Sequence, residues 1–325
     1  MIIDCHAHYV PPALLEEIRG GAAAFPSVKL VGTEAGDFGF SFAGGKPTRP
    51  VAKPLRDLAA RLAWMDANGI DKQVVGGWLD MFGYEIPAAE GAAWSRLANA
   101  HLRRAAAAEP RLVPLATVPL QDGVAAAEVL EEAMAAGFPG AMIGTQPKGV
   151  GGVLDDPTLE PFRRAADRTG AVVFIHPVFE SGDSRVHDYG MANAVGRITD
   201  TLIAVARLLC AGHPLRYANA KIVVGIGGAA LPFILGRMQR NQSLDNSLAD
   251  PEAGLRAMWY DTLVHDPRTL RFVADVVGAD RLMLGSDAPF PIGDPTPAHI
   301  IAAAGFTPDE QEAMRCGTAA ALFGR

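Results

Sequence analysis

Short apolar runs rich in β-branched side chains alternate along the chain with longer segments whose apolar residues recur every three to four positions. The runs at 1–4, 73–76, 112–117, 140–143, 171–175, 221–225, 258–261 and 282–285 predict eight strands. Segments between them, such as 55–68, 92–109, 123–136 and 159–168, carry helical periodicity. A strand, a helix and another strand imply parallel pairing, because the crossover travels back along the sheet. Eight such units predict an α/β protein with a closed (β/α)8 TIM barrel, ahead of an open doubly wound sheet. No G-x-G-x-x-G follows the first strand, so dinucleotide binding gains no support.

Two stretches interrupt the alternation. Residues 19–51 are rich in Gly, Phe, Ser and Pro with alternating apolar positions. They predict an insertion after the first strand, a small β-hairpin flap over the barrel mouth. Residues 179–195 predict a long loop after the fifth strand. Loops at this end of a barrel are where substrate sites are built.

Composition narrows the reading. The chain has 325 residues, 49% hydrophobic and 20% charged, enough apolar material for one large core. A single decorated barrel over 1–325 accounts for that length better than two domains. Net charge is -7 and no basic stripe stands out, which argues against nucleic acid as a partner. Cys5, Cys210 and Cys316 are odd in number and widely spaced, so reduced thiols in a cytoplasmic protein are expected rather than a disulfide framework. The opening MIIDCHAHYVPP lacks the pattern of a signal peptide, and no apolar run is long enough to predict a membrane span.

The candidate chemistry lies at strand ends. His6 and His8 are two residues apart, so in an extended chain both imidazoles point to one side. His176 ends the fifth predicted strand and Asp287 follows the eighth. Alone, an H-x-H pair is commonly incidental and an aspartate after a strand is commonly a helix cap. Together, on strands one, five and eight, the four converge on the catalytic end of a barrel. Three imidazoles and a carboxylate suit zinc, with manganese as a second choice, and leave a position for water. His101, His187, His213, His265 and His299 fall on helices or loops and read as surface or packing residues, although His187 and His265 lie where the mouth is expected.

The chain resembles the amidohydrolase superfamily, and within it the branch of aminocarboxymuconate-semialdehyde decarboxylase and related metal-dependent decarboxylases. The resemblance is carried by IDCHAHYVPP, TRPV, ARLAWMDANGID, MFGY, GFPGAMIGT, FIHP, GGAALPFILGR, LVHDP and LGSDAPFPIG, over nearly the whole length. It implies one zinc held by His6, His8, His176 and Asp287. It also implies that Arg49 and Arg237 bind substrate carboxylates, the latter reaching across a homodimer, and that Met81, Phe82 and Tyr84 line the pocket. Arginine suits carboxylates because its planar fork pairs with both oxygens.

One position departs from the pattern. The resemblance implies a proton-transferring histidine after the sixth strand, where this chain has Ile226. The leading expectation is nonoxidative decarboxylation of a small unsaturated or aromatic carboxylic acid, with Asp287 and His176 catalytic. Hydrolysis or hydration of a carboxylate substrate at the same site is the alternative. A metal-binding relative without turnover is the third reading, supported only by Ile226.

Overall fold

The computed structural model describes residues 1–21, 24–33, 37–178 and 182–324. Ten strands are present among the described residues: β1 (Ile3–His8), β2 (Val28–Gly32), β3 (Phe38–Phe42), β4 (Lys72–Gly76), β5 (Leu112–Pro114), β6 (Gly140–Gly144), β7 (Val172–His176), β8 (Lys221–Val224), β9 (Trp259–Asp261) and β10 (Leu282–Met283). Eight of them fall where the apolar runs lie. All pairings among these eight are parallel, in the orders β1-β4-β5 and β6-β7-β8-β9-β10.

Single bridges join the two arcs at both seams. Ala116 pairs with Ala141, with the Ala116 and Met142 N–H groups each donating across the gap at 2.9 Å. On the other side, Cys5 N–H donates to Leu284 O at 2.8 Å, Asp287 N–H to His6 O at 2.7 Å and His8 N–H to Ala288 O at 2.8 Å. The ring is therefore the predicted (β/α)8 barrel. Helices such as Ala88–Ala108, Gly123–Ala135 and Glu160–Thr169 connect the strands.

The barrel strands are largely buried, and every residue of β1, β6 and β7 is inside. Ile3 and Cys5 on β1 join the main apolar core with Val172, Phe174 and Leu282, and Asp4, His6 and His8 alternate with them along the strand. A fully buried aliphatic or aromatic side chain contributes roughly 1.5–3 kcal/mol, so this core is the main stabiliser of the ring. Cys5, Cys210 and Cys316 are all free thiols. No helix among the described residues is long and apolar enough to cross a membrane.

The insertion is the expected hairpin. β2 and β3 pair antiparallel, with Leu30 opposite Phe40. Phe40 and Phe42 meet the Trp94 ring edge-on, both at 5.7 Å between centroids, in a second core with Leu14, Trp78 and Met81. Of the predicted loop at 179–195, residues 179–181 lie outside the described residues. Its later part contains a 3-10 turn at Ser184–Val186 and a π-helical turn at Ala192–Gly196 that runs into the helix Arg197–Cys210.

One boundary differs from expectation. The histidine pair does not follow the first strand but lies within it, because pairing with β4 continues to His8↔Gly76. Between Asp4 and Ala7 the register slips by one residue, a β-bulge that lets β1 bend at the site.

Candidate metal centre and active site

His6 and His8 come from β1, His176 is the last residue of β7, and Asp287 follows β10. All four are buried, and one ligand atom from each lies within 4.8 Å of the others. His8 Nε2 is 3.1 Å from His176 Nε2 and 3.1 Å from Asp287 Oδ1. His6 Nε2 and His176 Nε2 stand 3.5 and 3.7 Å from the same oxygen.

The other nitrogen of each ring decides what these atoms are. His6 Nδ1 is 2.6 Å from Asp261 Oδ2, His8 Nδ1 is 3.1 Å from Gly77 O, and His176 Nδ1 is 2.8 Å from Pro177 O. All three partners are acceptors, so each Nδ1 carries the proton and each Nε2 presents a lone pair. Three lone pairs and a carboxylate oxygen then face one another in a buried space. His6 Nε2 and Asp287 Oδ1 have no hydrogen-bond partner there. Such an arrangement is repulsive in itself and is relieved by a divalent cation, so the residues fit the metal site read from the sequence.

Electrostatics agree for His8 and His176. Burial holds the His8 imidazole below its ordinary range and pulls His176 down to about 3, keeping both neutral. Burial also pulls on His6, but the bond to Asp261 and the charges of Asp287, Asp261 and Asp4 outweigh it and raise that ring. For Asp287, burial pushes upward while contacts with His176 and His8 hold the carboxyl well below the usual range.

Several residues position this cluster. Asp261 ends β9 and gathers His6, the Ile226 N–H at 3.0 Å, the Gly227 N–H at 2.6 Å and the Leu263 N–H at 3.2 Å. Asp4 accepts from Gln73 Nε2 at 2.8 Å, Ser286 Oγ at 2.5 Å and the His6 N–H at 3.1 Å. Arg61, buried beneath the site, donates to Gln73 Oε1 and His8 O. Gly285 is needed for space: a Cβ there would lie 2.7 Å from Asp261 Cβ and 3.1 Å from His6 Cβ. Asp287 adopts φ 59°, a left-handed conformation that aspartate tolerates better than most residues. Asp261 had a signal in the sequence, a carboxylate at the end of a predicted strand. Asp4, at the end of the first predicted strand, carried the same signal; Gln73 and Arg61 had none beyond their types.

The remaining predicted site residues are distributed differently. Arg49, leaving the hairpin, sets its Nε 3.0 Å and its Nη2 3.3 Å from the two Asp80 oxygens, with the guanidinium 5.6 Å from the Trp78 ring. The Tyr84 hydroxyl accepts the Gly144 N–H at 3.1 Å, beside the Gly144↔His176 pair of β6 and β7. Met81 and Phe82 are buried and line a cavity of ≈ 30 Å³ with Tyr9 and Leu115. Arg237 is exposed on the helix Leu231–Gln242, outside the buried cluster. Phe290 was not anticipated; its ring lies 5.2 Å from His8. Ile226 is half-buried at φ 56°. Of the five remaining histidines, His101 and His213 are buried, and His187, His265 and His299 are exposed.

A closed barrel carrying three histidines and an aspartate at its first, fifth and eighth strands defines a metal-dependent enzyme of the amidohydrolase type. The amidohydrolase family model matches residues 3–325, and the chain belongs to that family. It is 29% identical over 265 residues to the 2-amino-3-carboxymuconate-6-semialdehyde decarboxylase of Dictyostelium discoideum, covering 79% of this chain and 73% of that protein. The crystal structure of 5-carboxyvanillate decarboxylase from Sphingomonas paucimobilis matches with a TM-score of 0.81 at 25% identity, covering 99% of this chain and 98% of that one. The enzyme of that name from Novosphingobium aromaticivorans, complexed with manganese and 4-hydroxy-3-methoxy-5-nitrobenzoic acid, has a TM-score of 0.80 at 22% identity, covering 100% and 96%. These likenesses support an amidohydrolase-type carboxy-lyase.

Proposed function

We propose that this protein is a metal-dependent nonoxidative decarboxylase of a small aromatic or unsaturated carboxylic acid. The observation that carries the reading is the convergence of three Nε2 lone pairs with Asp287 Oδ1, within a chain whose relatives are decarboxylases. His6, His8, His176 and Asp287 would hold zinc or manganese, which supplies Lewis-acid polarisation of a bound carboxylate or phenolic oxygen.

The chain's own groups do the rest. Asp287 turns Oδ1 toward the imidazoles, leaving Oδ2 to receive a proton and relay it to the carbon that loses carbon dioxide. His176 orients that carboxylate from β7. Arg49 draws the substrate carboxylate toward the mouth, Tyr84 bounds the pocket, and Met81 and Phe82 back it. Arg237, exposed on its helix, reaches a second subunit's site in a homodimer. Excluding water and fixing the reacting carbon together supply the rate enhancement that positioning can give. The chemistry needs no organic cofactor, and the reading places the protein in the cytoplasm.

The test is to load the full chain with zinc or manganese and offer hydroxybenzoates, carboxyvanillate, muconate semialdehydes and lactones. Carbon dioxide release with no oxygen from labelled water in the organic product supports decarboxylation. Labelled water in the product establishes hydrolysis or hydration instead. Full metal occupancy with no turnover on any member rejects both.

A further inference from the structure

The helix Arg197–Cys210 begins at the catalytic mouth, and its hydrogen bonds show why. Asp200, in its first turn, is buried and accepts from Thr145 Oγ1 and, at 2.8 Å, from Gln146 Nε2, the two residues that follow β6. Thr145 Oγ1 in turn accepts the Val178 N–H at 3.2 Å, two residues beyond His176. The start of this helix is thus tied to the ends of β6 and β7, the latter carrying His176. A π-helical turn over Ala192–Gly196 sets the helical phase directly before it.

Arg197 stands three residues before Asp200, on the same helical face, and is 9% exposed. Burial pulls its guanidinium below the usual range; the carboxylates of Asp287, Asp80 and Asp200 oppose that, and the charge of Arg49 adds to it. Arg197 therefore feels the charges of the metal ligand Asp287 and of the Arg49–Asp80 pair. Arg49, by contrast, is 40% exposed and offers both ends of its fork to Asp80. A substrate carboxylate arriving at Arg49 must compete with Asp80.

We infer that Arg197 is a substrate-binding residue that receives the anionic carboxylate of the substrate beside the metal, within the same subunit. This deepens the decarboxylase reading and rests on it. A buried guanidinium is suited to the role because it keeps its charge when desolvated and pairs with a planar carboxylate through two parallel bonds. With Arg49 engaged by Asp80, the two arginines divide the work: Arg49 at the rim attracts anions, and Arg197 inside fixes one.

The experiment uses the manganese-loaded full chain and two probes that differ by one carboxylate, 2,6-dihydroxybenzoate and resorcinol, with binding measured calorimetrically. Arg197→Met is expected to weaken 2,6-dihydroxybenzoate by about ten- to a hundredfold, the worth of a charged hydrogen-bonded pair, and resorcinol by less than about twofold. Arg197→Lys recovers part of the loss. Metal content and melting temperature are read on every variant, and Arg197→Gln replaces Arg197→Met if the latter does not fold. Unchanged 2,6-dihydroxybenzoate binding, or equal loss of both probes, overturns the assignment while leaving the decarboxylase reading intact. Wild-type protein that binds neither probe overturns the assignment, and absence of turnover on the whole substrate panel overturns the decarboxylase reading as well.

Discussion

Asp261 Oδ2 lies 2.6 Å from His6 Nδ1, and the same carboxylate group accepts the N–H groups of Ile226 and Gly227. One buried side chain therefore fixes the tautomer of a metal ligand and the shape of the loop after β8. The coupling makes the end of β9 as important to the metal centre as the strands that carry the ligands.

Asp261→Asn should weaken divalent-metal affinity by about 10- to 100-fold, the usual cost of losing a partner that orients a ligating histidine. Competition against a fluorescent chelator measures it. Unchanged affinity would make Asp261 a backbone clamp only.

Removing the metal should lower the melting temperature, and each excess of free metal over its Kd should restore it, because only the folded chain gathers the four ligands. At a free concentration a hundred times Kd the gain is about 2.7 kcal/mol. His176→Ala should abolish most of the metal-dependent shift in a thermal scan. A scan indifferent to chelator would contradict the lone-pair argument.

Ile226 holds φ 56°, where a β-branched side chain is strained. Strain of this kind costs on the order of 1–3 kcal/mol. Ile226→Asn, which tolerates the left-handed region, should stabilise the metal-loaded protein by about 1 kcal/mol in urea unfolding. A destabilised variant would show that the isoleucine's packing outweighs its strain.

Ile226→His supplies a proton-transferring group at the end of β8. A positioned general acid or base contributes about 10²–10⁴-fold, so kcat for decarboxylation should rise by at least roughly tenfold, with a new ionisation in its pH profile. No rise in kcat would mean that the proton already has an adequate route.

His213 is buried beside Tyr217, their rings 5.6 Å apart, and burial, aided by Arg163 and Arg216, lowers it from 6.5 to about 4. The folded state thus takes up a proton less readily than the unfolded chain. Its share of stability is whole above pH 6.5 and is lost as pH falls toward 4. His213→Phe should flatten the decline in melting temperature between those limits. An identical slope in the variant and the wild type would refute the attribution.

Much of this protein is legible from its sequence. The eight apolar runs mark all eight barrel strands, because strands buried on both faces must be apolar almost throughout. The metal ligands are legible for a related reason: two-residue spacing in a strand and placement at strand ends map directly onto one face and one end of a barrel. The boundary of β1 was not legible, since only its pairing with β4 and the bridge to Ala288 carries the strand through His8.

What only the tertiary structure decided concerns groups whose roles depend on their neighbours. The family resemblance implies that Arg49 binds a carboxylate, and the fold puts Asp80 in its fork. Arg197 carried no signal in its stretch of helix, and the fold buries it at the mouth through Asp200, Thr145 and Gln146. Local sequence sets periodicity, and hence which face a side chain shares. The charge it meets across the barrel comes from segments far away in the chain, and no local pattern records it.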